Sequence, residues 1–386
     1  MFSHIRHRVV YSLLSRLSSR AGRVVVLESD DWGMQRMSSR KAYEALEARG
    51  LPVDRCAYNR NDSLESNEDL EALFAVLDRH RGADGRPAIL TANHIVANPD
   101  FERIRADNYE RYHYEPFTTT LERYPDRNRV KTLYAEGQRA GLFRVQFHGR
   151  EHLNVVNWLR ALRQDQVGIR AAFDHGMFTV RAPGMTAGCR SQFLDAFGGD
   201  SEAERAVHVS AVESGTRLFE TLHGFRSSSF IAPCYTWHPR LETHLATAGI
   251  RYLQGNYTQV IPDHRQAIGF RRRRHYTGQR ANEAPQLYLV RNAHYEPFEQ
   301  GVDRAVAACL TDAGRALKRG APAIIGTHRA NYIGSLRPVN RTESLAGLDR
   351  LLGNLLKQFP DVCFLPSDAL GQRLDTHTSL SSSKAT

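Results

Sequence analysis

The chain has little cysteine, and what it has is poorly placed for chemistry. Cys56, Cys189, Cys234, Cys309 and Cys363 are odd in number, widely spaced and without a Cys-x-x-Cys pair, which argues against a zinc knuckle or dithiol redox site. A reducing compartment, the cytoplasm, is the expectation. Long apolar runs are also missing. The stretch Val9–Leu14 is interrupted by Ser12 and followed by Ser15 and Arg16, too short for a signal peptide or a membrane span. No internal repeat and no Pro/Gly-rich linker divides the chain, so a single domain with elaborated loops is expected. A recognisable nucleic-acid motif is absent too, and no nucleic-acid partner is expected.

What is present is a chain of 386 residues, 41% hydrophobic, long enough for a substantial core. Lys and Arg number 52 against 42 Asp and Glu, a net charge of +10 that favours anionic surroundings. The excess is diffuse except at Arg271–Arg274, inside a polar stretch from Ile268 to Pro285 that reads as a solvated loop, or alternatively as an anion-contacting one. Over residues 1–22, Ile5, Val9, Leu13 and Leu17 recur at i, i+4 beside Arg6, Arg16 and Arg20. This predicts a basic amphipathic helix, docked on the protein's own body or, as a second reading, touching a membrane through residues 1–20. The Ser-rich tail 376–386 has nothing to bury and reads as disordered.

Between these ends, strand-like runs at Arg23–Leu27, Ala88–Ala92, Leu142–Phe147, Ser228–Ala232, Leu287–Val290, Ala323–Gly326 and Val362–Leu365 alternate with helical patterns. The clearest helices are Ser39–Ala48, Asn67–Arg79, Arg127–Ala140, Glu202–Leu222, Pro239–Ala248, Val302–Lys318 and Glu343–Phe359. Alternation of this kind predicts parallel βα units, and about seven strands suit a barrel spanning 23–375.

Strand ends carry the chemistry in such folds. Ser29-Asp30-Asp31-Trp32-Gly33 follows the run Val24–Leu27, offering one carboxylate as a ligand and another as a base; a plain turn is the alternative. His148-Gly149-Arg150-Glu151-His152 follows Leu142–Phe147, and its two rings share one side if the segment turns helically. Asp31, His148 and His152 then form a three-ligand set with a fourth position open for water, as a catalytic zinc requires. A third strand runs into Pro233-Cys234-Tyr235-Thr236-Trp237-His238-Pro239, and a fourth ends in Thr327-His328-Arg329-Ala330-Asn331. Trp32, Tyr235 and Trp237 offer flat faces for a sugar ring, and His94, Arg329 and Asn331 are further candidates for substrate contact. Asn93, Asp174, His175 and His294 are weaker candidates of the same kind.

The ordered set Asp-Asp, His-x-x-x-His, Pro-Cys-Tyr before a helix, and a late strand ending in His resembles the polysaccharide deacetylase family of the NodB type, a distorted (β/α)7 barrel, from about Arg23 to Asp368. The resemblance implies a metal-dependent carbohydrate deacetylase acting on an N- or O-linked acetyl group. Asp30 would be general base toward a metal-bound water that attacks the acyl carbonyl, Asp31, His148 and His152 the ligands of one divalent metal, and His328 the general acid. A backbone N–H near Tyr235 would steady the oxyanion. Zinc suits two imidazoles and a carboxylate, while cobalt, nickel, manganese or iron fit such a set too. The implied partner is an acetylated glycan or sugar precursor. Two departures stand out. Ile231 occupies the place where the family's third motif carries an Arg, and Gln254-Gly255-Asn256-Tyr257 stands where an Asp-rich motif would tune the acid His. These departures suggest a divergent branch, and they keep two alternatives open: a glycosidase-like hydrolase on the same barrel and a noncatalytic carbohydrate-binding barrel.

Overall fold

A computed structural model describes residues 23–180 and 193–382. The helix expected over residues 1–22 lies outside them.

Strand β1 (Arg23–Trp32) is the centre of the sheet. Its Val25, Val26 and Leu27 are 0 to 1% exposed, and burial of each such side chain contributes roughly 2 kcal/mol. Around it stand β2 (Leu90–Ile95), β3 (Phe143–Gly149), β4 (Ser229–Ile231), β5 (Tyr252–Gly255), β6 (Leu287–Val290), β7 (Ala293–His294), β8 (Ala323–His328) and β9 (Val362–Phe364). Every pairing between them is parallel, in the order β6-β5-β4-β3-β2-β1-β8-β7, with β9 beside the start of β1. All seven expected strands are present. The segment Tyr252–Gly255 is an eighth, and the dipeptide Ala293–His294 a ninth too short for periodicity to reveal.

The sheet curls because its edges must meet. Strands β6 and β7 lie at opposite ends of that order, yet only Arg291 and Asn292 separate them in the chain, a span of about 11 Å at most. Successive N–H groups there bond opposite edges: Arg291 donates to the Gly255 carbonyl at the end of β5 (2.9 Å), Asn292 to Ile324 in β8 (3.0 Å). This seam places Arg291 at the mouth of the barrel.

Helices cover the outside as the patterns predict. Helix α1 (Arg40–Ala48) is capped by Ser39, and α2 (Asn67–Asp78) begins with a capping box between Ser66 and Asp69. The helix expected from Pro239 starts instead at Leu241 and ends at Thr247. The final helix runs Ser367–Ser382. Residues Arg271–Arg274 are not in a loop: Phe270–Arg274 pairs antiparallel with Thr258–Pro262, and Arg271, Arg272 and Arg274 project into solvent from that hairpin. No helix among the described residues is long and apolar enough to cross a membrane.

Candidate active site

Register alone brings the first two groups together. Strand β1 pairs with β8 from Val25 opposite Ala323 to Asp30 opposite His328, so the carboxylate and the imidazole emerge side by side. On its other edge β1 bulges: Ser29 faces Ala92 and Trp32 faces His94, leaving Asp30 and Asp31 together opposite Asn93. Asp31 sits at φ 77°, a left-handed conformation costing on the order of 1 to 3 kcal/mol in a non-glycine residue. Ordinary strand alternation would send adjacent side chains to opposite faces; the bulge lets both carboxylates line one cavity.

Asp31 meets the two histidines there. Its Oδ1 lies 3.4 Å from Nε2 of His148 and 3.4 Å from Nε2 of His152, and all three residues are buried. The expected helical turn between the histidines is absent. His148 is still in β3, and Gly149 at φ +130° lets the chain leave the strand and return His152 to the same point. The intervening Arg150 and Glu151 form a buried ion pair, and Arg150 also reaches Ser214, fixing the loop that carries His152.

The donor set fits a divalent metal. Nδ1 of His148 lies 2.8 Å from the Ile231 carbonyl, which can only accept, so the ring proton sits on Nδ1. Nε2 is left as a bare lone pair, buried and without a hydrogen-bond partner. Fixing the far nitrogen in this way is how metal-ligating histidines are held. Burial depresses the His152 pKa to about 4, which keeps that ring neutral. Burial would push the Asp31 carboxyl up, but the imidazoles facing it, the charged His328 among them, hold it well below the usual range.

Asp30 is built differently. Arg291 donates to both of its oxygens, at 2.6 and 2.8 Å, and Asn93 donates to Oδ1 at 2.8 Å. The same guanidinium donates through Nε to Glu28 (2.7 Å) and touches the Tyr235 hydroxyl (3.1 Å). Burial opposes ionisation of Asp30, yet the Arg291 charge and hydrogen bonds hold its carboxyl far below the ordinary value. His328 faces it at 3.8 Å through Nε2 and hydrogen-bonds Glu296 through Nδ1 at 2.6 Å. Burial would lower the His328 pKa, but Glu296, aided by Asp31 and Asp30, raises it to about 10.

Arg291 and Glu296 are absent from the sequence-derived site. They place a guanidinium on Asp30 and a carboxylate on His328, both drawn from the segment that follows β6. The strand-end rule that singles out Asp30 applies equally to Arg291, one residue beyond Val290.

Other sequence candidates lie elsewhere. Trp32 is fully buried, its indole N–H given to Ser29 and its ring packed edge-on against Tyr134 and Phe143. His94 is 0% exposed among Phe117, Tyr134 and His223. Trp237 packs beside His275 and donates to Glu242. Arg329 is buried in ion pairs with Asp62 and Glu65, and Asn331 braces Glu296 from behind. None of the five lines the cavity; Tyr235 does. Its N–H, however, closes a turn onto the Ala232 carbonyl (2.9 Å) and is not free for an oxyanion. Among the weaker candidates, Asn93 holds Asp30, and Asp174 is paired at the surface with Arg105.

No family model matches the chain, and no curated protein matches it. Among solved structures it is similar to a putative polysaccharide deacetylase from Mycobacterium smegmatis, at 12% identity over 93% of each chain with a TM-score of 0.46. It is also similar to a probable polysaccharide deacetylase from Pseudomonas aeruginosa PAO1, at 10% identity over 91% of this chain and 90% of that one, TM-score 0.44. A 4-alpha-glucanotransferase from Thermococcus litoralis gives a TM-score of 0.45 at 8% identity over 90% of this chain and 40% of that one. At such TM-scores these likenesses carry no chemistry over to this chain.

Proposed function

We propose that the protein is a metal-dependent hydrolase that removes an acetyl group from a carbohydrate. The observation that carries this reading is the pairing at the barrel mouth of a buried three-ligand set, Asp31, His148 and His152, with a base and an acid held in opposite protonation states. A divalent metal in that set, zinc by ligand type, would acidify a water and polarise the acyl carbonyl. The protein supplies the remaining steps. Asp30, ionised and aimed by Arg291 and Asn93, accepts the proton of the attacking water. His328, kept protonated by Glu296, donates its Nε2 proton to the departing amine or alcohol. Tyr235 lines the same cavity, and its hydroxyl, which accepts from Arg291, would be the donor to a developing oxyanion in place of the backbone N–H.

A two-carboxylate glycosidase is less well supported. It needs one carboxyl kept protonated as acid, and both carboxyls that line the cavity, Asp30 and Asp31, are held down. The noncatalytic reading rested on the missing Arg and acidic partner, and Arg291 and Glu296 fill both places.

The test is bound-metal stoichiometry by elemental mass spectrometry on the purified protein, with a His148→Ala, His152→Ala double variant as control, followed by acetate release from acetylated glycans. About one divalent metal per chain, lost in the variant, and acetate formed only by the loaded protein are the expected results. No metal after reconstitution with zinc, manganese or nickel would overturn the reading.

A further inference from the structure

Five arginines among the described residues are buried: Arg36, Arg127, Arg150, Arg291 and Arg329. Four hold carboxylates. Arg127 pairs with Asp126, Arg150 with Glu151, Arg291 with Glu28 and Asp30, and Arg329 with Asp62 and Glu65. Arg36 is 4% exposed and has no carboxylate within 4.0 Å among the described residues. Its partners are neutral: Nε donates to Asn59 Oδ1 (3.3 Å), one terminal nitrogen lies 3.9 Å from Cys56 Sγ, and the guanidinium stacks 4.6 Å over the Tyr58 ring. Arg36 also lines the cavity, with Asp31, His152, Tyr58 and His328.

A buried guanidinium with no carboxylate in direct contact is costly, and a ligand anion would complete the pair. Stacking on Tyr58 fixes the plane of the fork, and the Asn59 and Cys56 contacts use two of its five donors. The other donors have no hydrogen-bond partner among the described residues, and the side chain lines the cavity. Planar, pre-oriented donors of this kind match the paired oxygens of a carboxylate or phosphate.

We propose that Arg36 is a specificity residue that binds an anionic group, carboxylate or phosphate, carried by the substrate next to the scissile acyl group. The inference rests on the cavity being the substrate site. It makes the substrate an acidic or phosphorylated acetylated sugar rather than a neutral glycan. Acetate, the product of the proposed reaction, is also an anion, so the test separates it from an anion borne by the sugar.

The experiment uses the full-length protein stripped of metal, so that no anion can bind a metal instead. Wild type, Arg36→Met and Arg36→Lys are titrated calorimetrically with N-acetylglucosamine, N-acetylglucosamine 6-phosphate, N-acetylmuramic acid and acetate. At least one anionic sugar is expected to bind ten-fold or more tightly than the neutral one, and which of the two does so identifies phosphate or carboxylate. Arg36→Met should erase that preference without changing the weak neutral affinity, and Arg36→Lys should keep part of it. Equal binding of the neutral and anionic sugars, a preference that survives in Arg36→Met, or Arg36-dependent binding of acetate alone would overturn the proposal. Should no sugar bind, the carbohydrate reading fails separately. Inorganic phosphate and succinate then decide Arg36: protection of the wild type against melting that Arg36→Met lacks supports the anion site, and equal protection of both overturns it. Metal uptake by Arg36→Met on reconstitution reports that the variant is folded.

Discussion

Arg291 and Asp30, 261 residues apart in sequence, meet through two hydrogen bonds of 2.6 and 2.8 Å with the guanidinium side chain fully buried. Glu28, two residues before Asp30 on the same strand, takes the third donor. The arginine therefore neutralises two buried carboxylates and fixes the plane of the Asp30 carboxylate. Arg291→Met should leave both charges uncompensated and destabilise the fold by about 3 to 5 kcal/mol. Arg291→Lys keeps the charge but not the fork, so it should fold and lose at least ten-fold in kcat. Denaturant melts and acetate-release kinetics on both variants check this. A fully active, fully stable Arg291→Met would show that the contact is incidental.

The two adjacent carboxylates should separate cleanly by function. Asp31 contacts both histidines, whereas Asp30 touches Arg291 and Asn93. Asp30→Asn is expected to keep metal and lose turnover by a factor of 100 or more, a general base being worth roughly 10² to 10⁴. Asp31→Asn should lose metal and turnover together. Metal analysis and kinetics on the same preparations decide it, and full activity in either variant would sink the assignment.

Why the sequence reveals some of this and hides the rest follows from distance along the chain. Asp30, Asp31 and His148 each follow a buried apolar run within a few residues, so local pattern finds them. Arg291 and Glu296 also sit near a strand end, but their meaning depends on the seam that folds β6 back to β8, and no local pattern encodes that closure. The reverse error explains Trp32 and His94. Both are strand-end residues too, yet the bulge at Asp30 and Asp31 turns the carboxylates into the cavity and leaves Trp32 packed against Tyr134 and Phe143. Arg329 follows His328 directly and points the other way, into Asp62 and Glu65.

The Glu296–His328 pair sets a pH dependence with a definite sign. Glu296 raises the His328 pKa to about 10, so the imidazole stays protonated through neutral pH and loses its proton late on the alkaline side. Glu296→Gln removes the carboxylate, and the pKa should fall toward the ordinary 6.5. The alkaline limb of the kcat profile is then expected to move to lower pH by at least one unit while metal content stays constant. An unmoved limb would mean that a group other than His328 donates the proton.

Stability should fall on acidification for a separate reason. Burial lowers the pKa of His152, His208 and His275 to about 4 and of His223 to about 3. The unfolded chain takes up these protons near pH 6.5, so between pH 6.5 and about 4 it binds more protons than the folded one, and stability falls as pH falls. Each unit of depression corresponds to about 1.4 kcal/mol at full exposure of the difference. His328 works in the opposite sense: its contribution is complete below pH 6.5 and is lost as pH rises through about 10. Metal-free protein should therefore melt highest near neutrality. A melting temperature that stays level from pH 7 to 4 would contradict the buried neutral histidines.

His94 and His148 make the sharpest contrast between a buried imidazole that only packs and one that could coordinate. Each has a ring nitrogen without a hydrogen-bond partner. In His148 that nitrogen faces Asp31 and the other is anchored on Ile231; in His94 both are unpartnered, and the ring is enclosed by Phe117, Tyr134 and His223. Burial drives the His94 pKa well down, as expected of a ring with no polar role. His94→Leu discards two unsatisfied polar atoms, each worth roughly 1 to 3 kcal/mol when buried, against some lost ring packing. The variant should fold with stability near or above wild type and keep kcat/KM within about three-fold. A ten-fold loss of kcat/KM at unchanged metal content would instead return His94 to the substrate.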